Sequence, residues 1–296
     1  RIGADPLEPA LYLVATPIGN LGDITLRALH ILAGADIVAC EDTRVSRVLM
    51  ARYGISHSLT AYHEHNAREA GPRLLAAIGN GKSVALISDA GTPLVSDPGY
   101  RLVDQAVEKG LRVVPIPGPS AVLTALSASG LPTDAFLFGG FLPVKEGQRR
   151  ARLETFRQTP ATLIFFESPR RLADSLASMA ATLGADRSAC VARELTKTFE
   201  EFRRGTLAEL AEHYAETGAP KGEVVVCIEP PQEEESVSAE VVASVEEALQ
   251  QAVPDIEFTS VESVGPKVSG ELIDAAIIAV SLAIGAVLVY IWLRFE

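Results

Sequence analysis

Short apolar runs alternate with amphipathic stretches from Leu11 to Ile228, and this alternation limits the fold more than any other feature of the sequence. The short runs predict strands and the stretches between them predict helices. The predicted strands are Leu11–Thr16, Asp36–Cys40, Ser83–Ile87, Arg112–Ile116, Ala161–Phe166, Ala189–Ala192 and Glu223–Ile228. Helix N-caps are predicted at Asp23, Asp97, Ser168 and Thr206. The pattern is typical of α/β layers.

Two breaks divide the chain into three predicted parts. Pro115, Pro117 and Pro119 rule out a continuing helix or a central strand, so we place a boundary between two α/β domains there, 1–117 and 118–231. The second break is Pro231, which precedes an acidic run typical of a solvated linker. The third part is therefore residues 232–296.

The third part ends in an apolar segment, residues 272–293, which is long enough to span a bilayer because about 20 residues suffice. Asp274 is its only charge, Tyr290 and Trp292 stand where an aromatic belt would lie, and Arg294 follows directly. A buried helix is the alternative, but a part this small offers little to cover a helix that is apolar all round. The segment thus predicts a transmembrane helix that could tether the protein to a membrane.

The net charge of −12 is unevenly distributed. Residues 1–231 hold 24 Lys and Arg against 26 Asp and Glu, whereas residues 232–296 hold 2 against 12. The body therefore remains compatible with an anionic partner such as RNA. Cys40, Cys190 and Cys227 are scattered in apolar runs, and residues 1–9 lack the apolar core of a secretory signal. These features predict a cytoplasmic protein with reduced thiols.

Two loops that follow predicted strands are rich in glycine and proline. In the first loop, Gly19 and Gly22 would let a ligand approach the backbone before a helix begins, although a tight turn explains this loop equally well. The second loop, residues 88–99, combines small residues with two prolines and two aspartates. It lies at the carboxyl end of a strand, where open α/β sheets bind their ligands, and it is interpreted as functional.

Polar side chains near the other strand ends leave several interpretations open. Glu41 and Asp42 could bind ligand hydroxyls or act as bases, but Asp42 could equally form a surface pair with Arg44. His63 and His65 cannot share one helix face at their spacing, and no further ligand cluster appears, so no metal site is predicted.

Basic residues concentrate in the second half of the body, near Phe141 and Phe156. They could grip RNA phosphates or form a solvated helix face. The predicted RNA-binding residues are Lys145, Arg149, Arg150, Arg170 and Arg171, and further basic residues follow at Arg152, Arg157, Arg203 and Arg204.

Several segments, in order and spacing, resemble the RsmI family of bacterial ribosomal RNA 2′-O-methyltransferases, within the tetrapyrrole methylase superfamily. The segments are 11–25, 40–44, 88–99, 117–121, 167–171 and 193–198, and the resemblance covers about residues 9–231. It implies two α/β domains with S-adenosylmethionine held in the cleft between them, and a homodimer. It also implies methylation of the ribose 2′-oxygen of a cytidine in the decoding region of 16S rRNA.

The same resemblance implies which residues form the site. Those implied to bind the cofactor are Pro17 and Gly19 in a first loop, Ser88, Asp89, Ala90 and Gly91 in a second, Ser120 and Ala121 in a third, and Phe166 and Glu167 in a wall from the second domain. Methyl transfer to a hydroxyl needs in-line positioning and removal of a proton. Asp89, Glu41 and His63 are the candidate bases, and the sequence does not choose among them.

Residues 236–296 resemble a different family, a fragment of the membrane protein SecF of the export translocon, around its second transmembrane helix. The chain therefore resembles a fusion of two unrelated proteins. Two alternatives to the RNA methyltransferase follow. One is a tetrapyrrole methylase with the same fold, and the other is a membrane-tethered, translocon-associated protein with a vestigial methylase body.

Overall fold

Five parallel strands form the first sheet of the computed structural model, which describes residues 6–96 and 99–231. The strands, in chain order, are β1 Leu11–Val14, β2 Ile37–Cys40, β3 Leu59–Ala61, β4 Val84–Ile87 and β5 Val113–Ile116. Their order across the sheet is β3-β2-β4-β1-β5, and every neighbouring pair is parallel. Pro115 therefore lies in an edge strand, where the missing N–H costs no ladder hydrogen bond.

Helices cover both faces of this sheet, as a parallel sheet requires. They are α1 Leu26–Gly34, α2 Thr43–Arg52, α3 Ala67–Gly79 and α4 Tyr100–Glu108. Alternate strand residues face opposite sides: Val14 and Val38 pack in one core with Leu32 of α1, while Leu11 and Leu86 pack in another with α3 and α4.

The second sheet is mixed. Its strands are β6 Phe136–Phe141, β7 Thr162–Glu167, β8 Ser188–Arg193, β9 Glu201–Thr206 and β10 Val224–Ile228, in the order β6-β7-β10-β8-β9. Only β6 and β7 are parallel, and the remaining pairs are antiparallel. Its helices are α5 Ala121–Ser129, α6 Glu146–Glu154, α7 Leu172–Leu183 and α8 Leu207–Thr217. The last three cover one face, and α5 covers the other.

The α/β prediction is confirmed, and each predicted strand matches an observed one within two residues. The strands β3, β6 and β9 were not predicted. Thr206 caps α8 through a capping box with Glu209, as predicted. The prediction for Asp23 is wrong, because it lies in a 3₁₀ turn and Thr25 caps α1. Ser168 precedes a 3₁₀ turn without a side-chain cap.

Part of the prediction falls on residues that the structure does not describe. Asp97 is one of them, and α4 begins after Gly99. The acidic linker and the apolar segment 272–293 also lie outside the described residues. Within residues 6–96 and 99–231, no helix is both long and apolar enough to cross a membrane. The described body belongs to one compact unit that ends at Pro231.

Candidate active site

Three loops meet at the carboxyl edge of the first sheet, because parallel strands end at the same side. The loop after β1 and the loop after β4 are joined by two backbone hydrogen bonds, from Thr16 N to Gly91 O at 2.9 Å and from Gly91 N to Thr16 O at 3.0 Å. The hydroxyl of Thr92 donates to the carbonyl oxygen of Pro119, at 3.1 Å, and thereby holds the loop after β5. These bonds make one connected rim out of segments far apart in sequence.

A pocket of about 490 Å³ opens above this rim and is lined by both sheets. The first sheet and its loops contribute Ile18, Glu41, Asp89, Ala90, Gly91, Thr92, Val95, Ser96 and Ser120. The start of α5 and the second sheet with its loops contribute Ala121, Val122, Phe141, Phe166, Glu167, Ser168, Pro169, Leu195, Gly222, Glu223, Val224 and Val225. The pocket thus combines an acidic side with an aromatic and aliphatic side.

The structure brings most of the residues predicted to bind the cofactor to this pocket. Those that line it are Asp89, Ala90, Gly91, Ser120, Ala121, Phe166 and Glu167. Three others lie outside its lining. Pro17 is buried within the first loop. The hydroxyl of Ser88 donates to the carbonyl oxygen of Ala90 at 3.2 Å and thereby shapes the second loop. Gly19 lies under Lys197, whose side chain would overlap any Cβ at that position.

The wall from the second sheet is aromatic. The ring of Phe166 packs edge-on against those of Phe138 and Phe141, with centroids 4.8 and 5.5 Å apart. The carboxylate of the next residue, Glu167, is fully buried and accepts hydrogen bonds from Ser168 N and the Ser175 hydroxyl, both at 2.6 Å. Because these partners occupy the Glu167 carboxylate, Glu167 shapes the wall, and its charge is not available to a ligand.

Two of the three candidate bases line the pocket. Burial and the neighbouring Asp89 carboxylate raise the pKa of Glu41, while the charge of His63 lowers it by a smaller amount. Asp89 Oδ1 accepts a hydrogen bond from Asp42 N at 3.1 Å. His63 is not part of the pocket lining, and its Nδ1 is buried with no hydrogen-bond partner among the described residues.

Asp42 does not share this role, because its carboxylate is turned towards Arg44. Two guanidinium nitrogens of Arg44 donate to it, the shortest contact being 2.6 Å. These bonds lower the pKa of Asp42 to about 2. The surface pair that the sequence left open is therefore present.

The predicted RNA-binding residues divide into exposed and buried ones. Lys145, Arg150 and Arg170 are exposed. The prediction for Arg149 is contradicted, because its side chain is only 5% exposed and its guanidinium donates to the Ser178 hydroxyl at 3.0 Å. Arg171 is half withdrawn from the surface and forms an ion pair with the buried Glu167 at 2.7 Å. Arg149 is buried between α6 and α7, whereas Arg171 is held by Glu167 at the end of β7.

A loop after β8 reaches the pocket and was given no role by the sequence. Glu194 and Thr196 adopt positive φ values of 51° and 65°, a conformation that non-glycine residues rarely hold without local compensation. Lys197 provides this compensation, because its ammonium group forms ion pairs with Glu194 at 2.7 Å and with Glu223 at 2.6 Å. Burial by itself would lower the pKa of Lys197, but the bonds to both carboxylates raise it. The only sequence signal for this loop was its place in segment 193–198.

This loop also contacts the first loop of the other sheet. Asn20 N donates to the hydroxyl of Thr196 at 3.1 Å. Together with Lys197 over Gly19, this contact holds the two sheets together at one side of the pocket.

Comparison with known proteins gives two family matches. The model described as "Tetrapyrrole (Corrin/Porphyrin) Methylases" matches residues 10–211, and the one described as "Protein export membrane protein SecD/SecF, C-terminal" matches residues 244–296. Curated relatives called "Ribosomal RNA small subunit methyltransferase I" are similar over the body. The one from Mesorhizobium japonicum is 73% identical and the alignment covers 78% of each chain. The one from Pseudomonas aeruginosa is 52% identical, with 78% of this chain and 83% of the relative covered.

Solved structures share the fold at lower identity. Cobalt precorrin-4 methyltransferase aligns with a TM-score of 0.54 at 20% identity, covering 74% of this chain and 94% of that one. Diphthine synthase aligns with a TM-score of 0.58 at 17% identity, and the alignment covers 74% of this chain and 89% of that one. A uroporphyrin-III C-methyltransferase from Thermus thermophilus, complexed with S-adenyl homocysteine, aligns with a TM-score of 0.52 at 22% identity. This alignment covers 74% of this chain and 96% of that one.

Proposed function

The chain belongs to the tetrapyrrole methylase family and, within it, to the ribosomal RNA small subunit methyltransferase I family, and from this premise we propose its reaction. It transfers the methyl group of S-adenosylmethionine to the ribose 2′-oxygen of a cytidine in the decoding region of 16S rRNA. The observation that carries the proposal is a two-sheet pocket in a chain 73% identical to a relative of that name.

The pocket residues fit this cofactor. Its volume, about 490 Å³, is in the range of small-molecule sites. Phe166 and Leu195 offer apolar surface to an adenine ring, and the first N–H groups of α5, at Ala121 and Val122, suit a carboxylate. When bound, S-adenosylmethionine supplies a methyl group that its sulfonium charge has already activated. The acidic side of the pocket, with Asp89, suits a cation.

What the protein must add is orientation and a proton acceptor. Of the two pocket carboxylates, Glu41 is better suited to accept the proton, because its raised pKa makes it the stronger base. The carboxylate of Asp89 is held in place by the backbone N–H of Asp42. We therefore propose that Glu41 accepts the proton of the ribose hydroxyl and that Asp89 positions the cationic part of the cofactor.

The test is methyl transfer from labelled S-adenosylmethionine to small ribosomal subunits, with a porphyrinoid as the alternative acceptor. We expect label in 16S rRNA, at a linkage that resists alkaline cleavage because the ribose hydroxyl is blocked. An Asp89→Ala variant should fold and fail to methylate. Label on the porphyrinoid would instead establish the tetrapyrrole alternative. Absence of cofactor binding in calorimetry would favour the translocon-associated protein with a vestigial body.

A further inference from the structure

Helix α2 carries an exposed face made largely of arginine. Residues Arg44, Arg47, Val48, Ala51 and Arg52 recur at the spacing of one helix face, and all are exposed. The opposite face packs inward through Ser46 and Met50. The helix contains no acidic residue, and of the three arginines on its outer face only Arg44 has an ion-pair partner among the described residues, Asp42, which precedes the helix.

Within the part of the chain that the structure describes, two of the three arginines on this face lack the acidic partner that some arginines on other helices have. On α6, Arg150 pairs with Glu146 at 2.8 Å, and on α3, Arg73 pairs with Glu69 at 2.7 Å. Such pairs along one helix are typical of a solvated surface that binds nothing. By contrast, Arg47 and Arg52 form no ion pair with any residue in the described ranges.

The face begins directly at the pocket. Glu41, the residue after β2, lines the pocket, and Asp42 caps α2 while its N–H bonds Asp89. A ten-residue helix is about 15 Å long, so the arginine face extends from the pocket rim by roughly that distance. Val48, which is 73% exposed, lies between Arg47 and Arg52 and offers apolar surface among the charges.

We propose that the arginine face of α2, residues 44, 47, 48, 51 and 52, binds phosphates of the RNA strand beside the nucleotide that enters the pocket. The inference rests on the proposed function, since it assumes an RNA substrate. Unpaired guanidinium groups are suited to phosphate oxygens, and the place of α2 at the rim puts them beside the reacting nucleotide. This surface is separate from the basic residues in and after α6, where Arg150 and Arg157 have acidic partners and Arg152 lies over the ring of Phe156.

The test uses the full chain with Arg47→Gln and Arg52→Gln combined, leaving Arg44 and its partner Asp42 intact. We expect binding to small ribosomal subunits to weaken by about tenfold or more at physiological salt. The plot of log affinity against log salt concentration should become shallower, its slope shrinking in magnitude by about two, one for each lost phosphate contact. The dissociation constant for S-adenosylmethionine should not change, and kcat at saturating RNA should be retained.

The matched control combines Lys82→Gln and Lys109→Gln, two exposed cations at the amino edge of the same sheet. This control should bind RNA like the wild type, and the pair Arg47→Lys with Arg52→Lys should restore most of the affinity. Wild-type RNA affinity and salt slope in the Gln variant would overturn the inference, as would an equal loss in the lysine control. A wild-type protein that binds RNA but transfers no methyl group would overturn the proposed function alone.

Discussion

Two carboxylates face the same pocket, and their proximity determines how each can act. The negative charge of Asp89 adds to burial in raising the pKa of Glu41. A like charge close to a carboxyl group favours the protonated form of that group, so Glu41 takes up a proton at a higher pH than an ordinary glutamate. Asp89 Oδ1 accepts a hydrogen bond from the N–H of Asp42, which fixes the position of its carboxylate beside Glu41.

A pH prediction follows from this pair. A base must be deprotonated, so methyl transfer should fall as the pH drops through the pKa of Glu41, which is raised from the ordinary value of a glutamate. Asp89→Asn removes one of the charges that raise this pKa, so the acid limb of residual activity should move to lower pH. The measurement is kcat/KM against pH for both proteins.

Glu41→Gln serves as the companion variant in that experiment. Loss of the base should reduce the rate by about 10²- to 10⁴-fold and remove the acid limb. If the limb persists in Glu41→Gln and vanishes in Asp89→Asn, Asp89 is the base.

Arg149 shows that a basic residue in a predicted RNA surface can be a structural one. Its guanidinium also donates to the carbonyl oxygens of Val144 and Asp174, at 3.0 and 3.4 Å. Arg149→Ala should therefore cost about 2–4 kcal/mol of unfolding free energy, through lost charged hydrogen bonds and lost packing. Urea denaturation measures this cost.

The neighbouring Arg150 is the control, since its side chain is 54% exposed and its ion pair with Glu146 lies at the surface. Arg150→Ala should change stability by less than about 1 kcal/mol. In the folded fraction of Arg149→Ala, the KM for RNA should match that of the wild type. A stable Arg149→Ala protein with a raised KM would restore Arg149 to the RNA surface.

Strand β6 illustrates why an element can escape a sequence pattern. It reads Phe-Leu-Phe-Gly-Gly-Phe, and glycine weakens a strand prediction. In the structure the register shifts between Phe138 and Gly140, which leaves Gly139 as an extra residue against β7. Gly139 is required because a Cβ there would lie 2.8 Å from Cδ1 of the buried Phe165 and closer still to Cε1.

Gly139→Ala should therefore destabilise the second sheet. Overpacking against a fully buried ring costs about 1–3 kcal/mol, measurable by chemical denaturation. Gly147 in α6 is the matched control, since a Cβ there meets nothing within 4 Å. Gly147→Ala should be neutral or stabilise the protein by up to about 1 kcal/mol, because alanine is the better helix former. Equal effects of the two substitutions would contradict this explanation of β6.

At the scale of the whole molecule, the pocket depends on both sheets together. Its lining extends in sequence from Ile18 to Val225. Strand β10 is central in the second sheet, so the pocket and the core share its residues. The homodimer and the membrane tether that the sequence predicts stay predictions.

A chain that ends at Pro231 should therefore retain the activity. We expect it to bind S-adenosylmethionine and methylate 16S rRNA with the wild-type kcat/KM, because it holds every lining residue. A chain that ends at Glu200 is the control and should fail to fold, since it lacks β9 and β10. Loss of transfer by the longer protein, with cofactor binding kept, would mean that residues 232–296 contribute to RNA binding.

Local pattern was enough to predict the layers of this protein and the loops at the carboxyl ends of its strands. Apolar periodicity is a local property, so β1, β2, β4 and β10 could be found without knowing their neighbours. The glycine and proline loop at residues 88–99 was found for the same reason, since backbone demands are local too, whereas Ser120 and Ala121 were named only because of the family resemblance.

Other features depend on segments that are far apart in sequence, and only the folded chain shows them. The antiparallel pairing of β10 with β7 and β8 is one, and the burial of Arg149 between α6 and α7 is another. The bonds from Lys197 to Glu194 and Glu223 join three segments at the pocket. Hydrogen bonding, desolvation and packing act between neighbours in space, and a linear pattern does not record which neighbours a residue will have.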